Sequence, residues 1–190
     1  MLPVVLTTQE DIIKAISEDE WMMNLLNAVK TLNLPDWWIC AGFVRSKIWD
    51  VQHHYRSRTP LPDIDVIYYD SSKINELEEK KIEETLKSMV PAIPWSVKNQ
   101  ARMHIKSNMP PYTSSVDGIS KFPETATALG VTLDENGELI LTAPWGIHDV
   151  VNLEVRPTLH YASGKRMKVY EGRVTRKDWI KKWARVKIFY

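Results

Sequence analysis

Asp63 and Asp65 stand one residue apart at the head of the apolar run "DIDVIYYD". Side chains at i and i+2 of a strand project to the same side. The two carboxylates therefore project together, while Ile64 and Val66 enter the other layer. A buried charge is costly unless it is paired or bound to metal. The pair is thus either a metal site or a strand end. Hard oxygen ligands suit Mg²⁺ or Mn²⁺, which keep waters and phosphate oxygens in their coordination shells. Two such ions clamp the attacking and leaving oxygens of a phosphoryl displacement. With 24 acids in 190 positions, roughly three such pairs arise by chance, so the neighbouring residues must decide.

Gly42 follows the apolar "WWICA" and precedes a helical pattern. A glycine between strand and helix lets a phosphate approach backbone N–H groups and the positive end of the helix dipole. Arg45 and Lys47 add charge beside it. The structural alternative is a tight turn before a core-packing helix. Asn99, Gln100, Arg102 and His104 form a second polar string. Arg102 either pairs with phosphate or the Asp pair, or joins a buried network that fixes the fold. His148 and Asp149 read as a proton relay or, since chain neighbours usually point apart, as structural residues, and the second reading is favoured. His53 and His54 fall at a helix end on the surface.

The elements that would hold these residues follow from periodicity. Thr8-x-x-Asp11 and Ser17-x-x-Glu20 read as helix starts. "WWICAG" reads as a buried strand ending on glycine. Val44, Ile48, Val51 and Tyr55 make one helix face. Pro60 and Pro62 stiffen the approach to a strand at "DIDVIYYD". The next helix takes its apolar side from Ile74, Leu77, Ile82, Leu86 and Met89. Trp95 to Ile105 reads as a third strand with a break near Asn99. Asn136-Gly137 between alternating segments signals a hairpin. "HDVVNLEVRP" adds a strand or a short helix. Trp179 and Trp183, at helical spacing, read as residues that dock the tail. The order predicts an α+β fold with a mixed sheet flanked by helices, an added hairpin and a basic C-terminal segment.

The 190 residues suit a single domain, 1–190, with a helical N-terminal part (1–35), a core (36–158) and a basic tail (159–190). Cys40, the one cysteine, reads as a buried thiol of a cytoplasmic protein. The first residues lack the basic start of a secretory signal. No apolar stretch reaches membrane-spanning length, so no membrane partner is expected. Net charge is +1, yet Arg156–Tyr190 holds eleven Lys/Arg against two acids, a local +9 that leaves −8 elsewhere. Such asymmetry suits an anionic partner, or a basic helix packed on an acidic body. Zinc-protease, nucleophile-elbow and P-loop spacings are absent.

The order strand, Gly turn, helix and D-x-D strand resembles the DNA polymerase β-like nucleotidyltransferase superfamily. "LPDWWICAGFVRSKIWD", "TPLPDIDVIYYD", "WSVKNQARMHI", "FPETATALGV" and "APWGIHDVVNLEVRPT" together resemble bacterial nucleotidyltransferase-family proteins once grouped as a domain of unknown function. The resemblance implies a nucleotidyltransferase-like sheet and Mg²⁺- or Mn²⁺-dependent transfer of a nucleoside monophosphate from an NTP, ATP among them, with release of pyrophosphate. It places metal on Asp63 and Asp65 and the triphosphate beside Gly42, where the Phe43 N–H remains a donor; Arg45, Lys47 and Arg102 are the charged candidates for the same phosphates. Phe43 stands where the superfamily usually has a small hydroxyl residue. Asn99 stands where a third carboxylate is expected, with Asp149 and Glu154 as alternatives. The acceptor is a small molecule, an RNA or a protein. The competing reading is a non-catalytic nucleotide- or nucleic-acid-binding module. Oligomeric state is not legible.

Overall fold

The computed structural model describes residues 5–190; residues 1–4, the start of the expected N-terminal part, lie outside the described residues. Five strands form a mixed sheet in the order β3-β2-β1-β4-β5. These are β1 (Trp38–Cys40), β2 (Ile64–Tyr68), β3 (Trp95–Asn99), β4 (Gly130–Leu133) and β5 (Leu139–Thr142). β1 runs antiparallel to both β2 and β4, and β2 runs parallel to β3. The hairpin β4–β5 forms around Asn136-Gly137 as its turn signal predicts, with Gly137 at φ 85°.

The pleat sorts the side chains. Ile64, Val66 and Tyr68 of β2 enter the large core, which also holds Ile39, Val97 and Val131. Ile67 faces a smaller cluster with Trp38, Cys40 and Ile119. Asp65 shares that second face, so it avoids the main core. This alternation is the one expected of a strand carrying Asp63 and Asp65.

α1 (Gln9–Ser17) starts with the expected capping box of Thr8 and Asp11. α2 (Glu20–Lys30) is capped by Asp19 rather than Ser17. α3 (Gly42–Gln52) buries Phe43, Val44, Ile48 and Trp49; it ends before Tyr55, which is exposed. α4 (Glu76–Met89) departs from its expected stripe. Asn75 caps it, so Ile74 lies outside the helix, and Leu77 is 61% exposed while Glu79 is 1% exposed. Glu79 is buried because Arg102 donates to it from Nε and Nη2 at 2.6 Å each, and the Asn99 N–H donates at 2.9 Å.

The expected third strand is shorter than its pattern. It ends at Asn99, whose side chain accepts the Ala101 N–H and caps α5 (Gln100–Ser107). A local side-chain cap here outcompetes continued pairing. α6 (Ser115–Ser120) follows, and "HDVVNLEV" gives both α7 (His148–Val151) and β6 (Glu154–Val155).

The basic tail folds back on the body. α8 (Gly164–Lys177) and α9 (Trp179–Lys182) lead to β7 (Lys187–Ile188), which pairs in parallel with β6. Trp179 and Trp183 are 2% and 1% exposed, the docking role their spacing suggests. Arg173 of α8 donates to the fully buried Glu124 at 2.7 Å.

Glu79→Ala strips the partner from Arg102 and the Asn99 N–H, and is expected to cost about 3 kcal/mol. Leu77→Glu, on the exposed face, is expected to stay within about 0.5 kcal/mol. Urea unfolding followed by tryptophan fluorescence measures both; similar losses would show that Glu79 does not lock α4 to α5.

Candidate active site

The turn after β1 is the first structural feature of the site. β1 pairs with β2 so that Cys40 lies opposite Asp65, which brings the turn beside the carboxylates. Ala41 leaves the strand at φ 55°, ψ −115°, a conformation costly for a residue with a Cβ. Its N–H donates to the Leu129 carbonyl at 2.9 Å, and its carbonyl accepts the N–H groups of Val44 and Arg45 at 3.2 and 3.0 Å. The strained residue is thus Ala41, and Gly42 is the first residue of α3. A Cβ on Gly42 would sit 3.5 Å from Arg45 Nη2 and 4.0 Å from Leu61 Cδ2. The missing side chain therefore leaves space beside Arg45 and relieves no clash. α3 has no side-chain cap, so the N–H groups of Gly42 and Phe43 remain donors for an anion.

Asp65 lies on the next strand. Burial, then the neighbouring charge of Asp63, push its carboxyl up from 3.8 to about 6; Ser96, Lys177 and Arg45 pull the other way. A divalent cation would remove the repulsion and replace the lost hydration, so the donor set fits one. Ser96 is the β3 residue paired with Asp65.

Arg45 is the third feature. Its guanidinium lies 5.1, 4.8 and 5.8 Å from the ring centroids of Trp49, Trp179 and Trp183. The residue is 7% exposed. Nη2 donates to Ser46 Oγ at 3.3 Å, while the buried Nε has no hydrogen-bond partner. Burial lowers its pKa to about 10, against the opposing pull of Glu124, Asp63 and Asp65, so it stays charged at neutral pH. Nε is itself sealed from solvent, whereas Nη2 lies beside Gly42 and Arg45 lines the cleft, so the guanidinium can meet phosphate oxygens there. The cage is tied down by Trp183 Nε1, which donates to Asp50 Oδ1 at 2.8 Å. Asp50 also accepts the Thr59 N–H and hydroxyl at 2.8 and 2.6 Å, fixing the chain just before Asp63.

These features open into a cleft of about 750 Å³, lined by Gly42, Arg45, Asp63 and Asp65 on one side and by Arg173, Arg176 and Lys177 of α8 on another. Of the second polar string only Gln100 lines it, and Phe43, Lys47, Asn99, Arg102 and Asp149 do not. The Phe43 ring is buried in the core, leaving only its N–H for the site. Lys47 pairs with Asp19 at 2.8 Å. Arg102 is held by Glu79.

Asn99 pairs in register with Tyr68, not with Asp65. Its amide is fully used: Oδ1 accepts from Asp70 and Ala101, and Nδ2 donates to the Asp70 and Lys73 carbonyls. Asp149 accepts the Thr125 hydroxyl at 2.6 Å. His148, Asp149 and Glu154 form an acidic cluster, but Arg156 reaches Asp149 and Glu154 at 3.8 and 2.9 Å, and none of the three lines the cleft. Sequence reasoning missed Lys98 and the α8 wall as cleft residues, and Ser96 as the β3 partner of Asp65. The surplus charge of the tail was the available signal for that wall.

Residues 27–188 match a family model described as Nucleotidyltransferase. An NMR structure said to reveal a CCA-adding enzyme head domain is 34% identical, with a TM-score of 0.85 and coverage of 97% of both chains. A CCA-adding enzyme in complex with CTP is 15% identical, with a TM-score of 0.59 over 94% of this chain and 43% of that one. A complex of CCA-adding enzyme with ATP is 16% identical, with a TM-score of 0.56 over 93% and 42%. The likeness to these two complexes is one of fold, and the chain spans less than half their length. No curated protein sequence matches the chain.

The raised carboxyl of Asp65 makes a stability prediction. Its folded pKa, about 6, lies above 3.8, so folding takes up a proton. Its contribution to stability improves as pH falls from about 6 toward 4 and is least favourable above that window. Asp65→Asn is expected to stabilise the metal-free protein at pH 7.5 by about 1–3 kcal/mol, with a smaller gain at pH 5. Thermal unfolding at the two pH values, without divalent cations, checks this. A destabilised variant at pH 7.5 would overturn the assigned strain.

Proposed function

Because the chain belongs to the nucleotidyltransferase family, we propose that it moves a nucleoside monophosphate from an NTP to an acceptor and releases pyrophosphate, with Mg²⁺ or Mn²⁺ held by Asp63 and Asp65. The observation that carries the reading is Arg45, without a carboxylate partner, lining the cleft beside the uncapped start of α3 and the carboxylate pair. A phosphate chain that accepts from the Gly42 and Phe43 N–H groups and from Arg45 would satisfy all three at once. The bound ion would neutralise charge on the phosphate oxygens. Positioning and fixed charge then supply most of the rate gain.

Lys47, Asn99 and Arg102 act from behind the site in this proposal, by holding α3 and the β3–α5 junction. Asp149 supports the turn at Thr125. The CTP and ATP complexes of the fold relatives make both nucleotides the first to test. A reducing cytoplasm, with its NTP pools, is the proposed setting, in keeping with the buried Cys40 thiol.

Calorimetric titration of each NTP with Mg²⁺ or Mn²⁺ tests the assignment. Arg45→Ala is expected to weaken NTP binding at least about tenfold, roughly one charge-assisted hydrogen-bond pair. Arg45→Lys should recover only part, since an ammonium lacks the guanidinium fork. Asp63→Asn with Asp65→Asn should remove the metal dependence. Unaltered NTP affinity in Arg45→Ala, or metal dependence that survives loss of both aspartates, would sink the proposal.

A further inference from the structure

We propose that the acceptor is a small phosphate monoester, whose phosphate oxygen attacks the α-phosphorus to form a pyrophosphate-linked nucleotide product. This inference rests on the nucleotidyl-transfer reading of the same cleft. Two independent observations carry it: the charge of the cleft and the lack of a proton acceptor in it.

Nine Lys or Arg side chains line the cleft against Asp63 and Asp65. Three are ion-paired: Lys98 with Glu79, Lys121 with Asp117 and Arg173 with Glu124. The other six, Arg45, Lys106, Arg166, Arg176, Lys177 and Lys182, have no carboxylate within salt-bridge distance among the described residues. Six cations against two aspartates leave +4. An NTP with one divalent ion carries about −2, so about +2 remains for the acceptor to meet. A phosphate monoester near neutral pH carries about −1.5 to −2. A neutral sugar or alcohol would leave that charge uncompensated.

A hydroxyl nucleophile must also lose its proton to something. No histidine and no third carboxylate line the cleft among the described residues. The register places Ser96, not an acid, beside Asp65, and Asp63 and Asp65 are committed to the metal. An ionised phosphate oxygen needs no base. The new bond joins that oxygen to the α-phosphorus. The bond from the α-phosphorus to the bridging oxygen breaks, and pyrophosphate leaves with the electron pair, so no proton changes hands. The cleft volume of about 750 Å³ is of the size that holds small ligands.

The full chain is saturated with Mg²⁺ and a non-hydrolysable α,β-methylene NTP, and inorganic phosphate or glucose 1-phosphate is titrated by calorimetry. Both are expected to bind, and Arg176→Ala with Lys182→Ala should weaken their binding at least about tenfold. With α-labelled NTP, label should pass to glucose 1-phosphate in a phosphatase-resistant product, and not to glucose. If the NTP analogue binds but neither phosphate probe does, the inference fails and the transferase reading stands. Labelling of glucose or of the 3′ end of a short RNA in place of the monoester also overturns it. If the analogue itself does not bind, both readings fall.

Discussion

A guanidinium with no carboxylate partner is held under three indole rings, and much of the chain is arranged to keep it there. Burying Arg45 away from water is unfavourable unless other groups replace its hydration. The faces of Trp49, Trp179 and Trp183 supply part of that replacement through cation–π attraction. Nε is left buried with no hydrogen-bond partner, while the guanidinium lines the cleft beside Gly42. Ala41 adds a second unfavourable term, a positive φ at a residue with a Cβ. Asp65 adds a third, a carboxyl pushed up by burial and by Asp63. All three lie within the short span where β1, α3 and β2 meet, and a metal–triphosphate complex would relieve the two charged ones.

Such a site holds only if the surrounding structure over-determines it. Asp50 is the central tie. It joins α3 to the chain before Asp63 through Thr59, and to the C-terminal segment through Trp183. Gln52, two residues on, accepts the Leu6 N–H at 3.1 Å and donates to the Val151 carbonyl at 2.6 Å. α3 is thus fastened to the beginning, the middle and the end of the chain. Glu124 and Arg173 fasten α8 from the other side. The β6–β7 pairing and the Tyr170 hydroxyl, which donates to the Val155 carbonyl at 3.0 Å, close the C-terminal segment. The basic tail is therefore a wall of the cleft, and its charge faces the site.

What could be read from sequence divides along physical lines. Alternation made the Asp63/Asp65 strand legible, because a period of two is enforced by the pleat. The hairpin was legible from Asn136-Gly137, since few residues tolerate positive φ. Glu79 was not: its burial depends on Arg102, 23 positions away, and a helical stripe that counts only apolar residues excludes it. Asn99 was misplaced for a related reason. It stands where the family resemblance expects a third carboxylate, but its amide closes a local cap and two carbonyl contacts. Local capping and long-range ion pairs leave no periodic trace. The same holds for Arg45: its charge beside Gly42 was legible, but its cover by Trp49, Trp179 and Trp183 was not.

The charge distribution follows from that closure. A surplus of +9 in the last 35 residues beside −8 elsewhere reads as a floating anion-binding arm while the tail is imagined as extended. Once α8 lies along the cleft, part of that surplus is met by the body, through Glu124, and the part without carboxylates faces the carboxylate pair. Lys177 lies near enough to Asp65 to lower its carboxyl. The cleft is thus held in an electrostatic compromise: cations on α8 steady a carboxylate pair too close for comfort, and the carboxylates steady cations that lack partners. Under the proposed function, ligands of both signs would resolve it together, the metal on the aspartates and the phosphates on α3 and α8. Neither sign alone is well served, because a phosphate without the cation meets Asp63 and Asp65, and a cation without the phosphate meets Lys177. On the proposed function, the site's charge pattern would therefore favour a metal-bound polyphosphate over either component, and the remaining positive wall would face whatever attacks it.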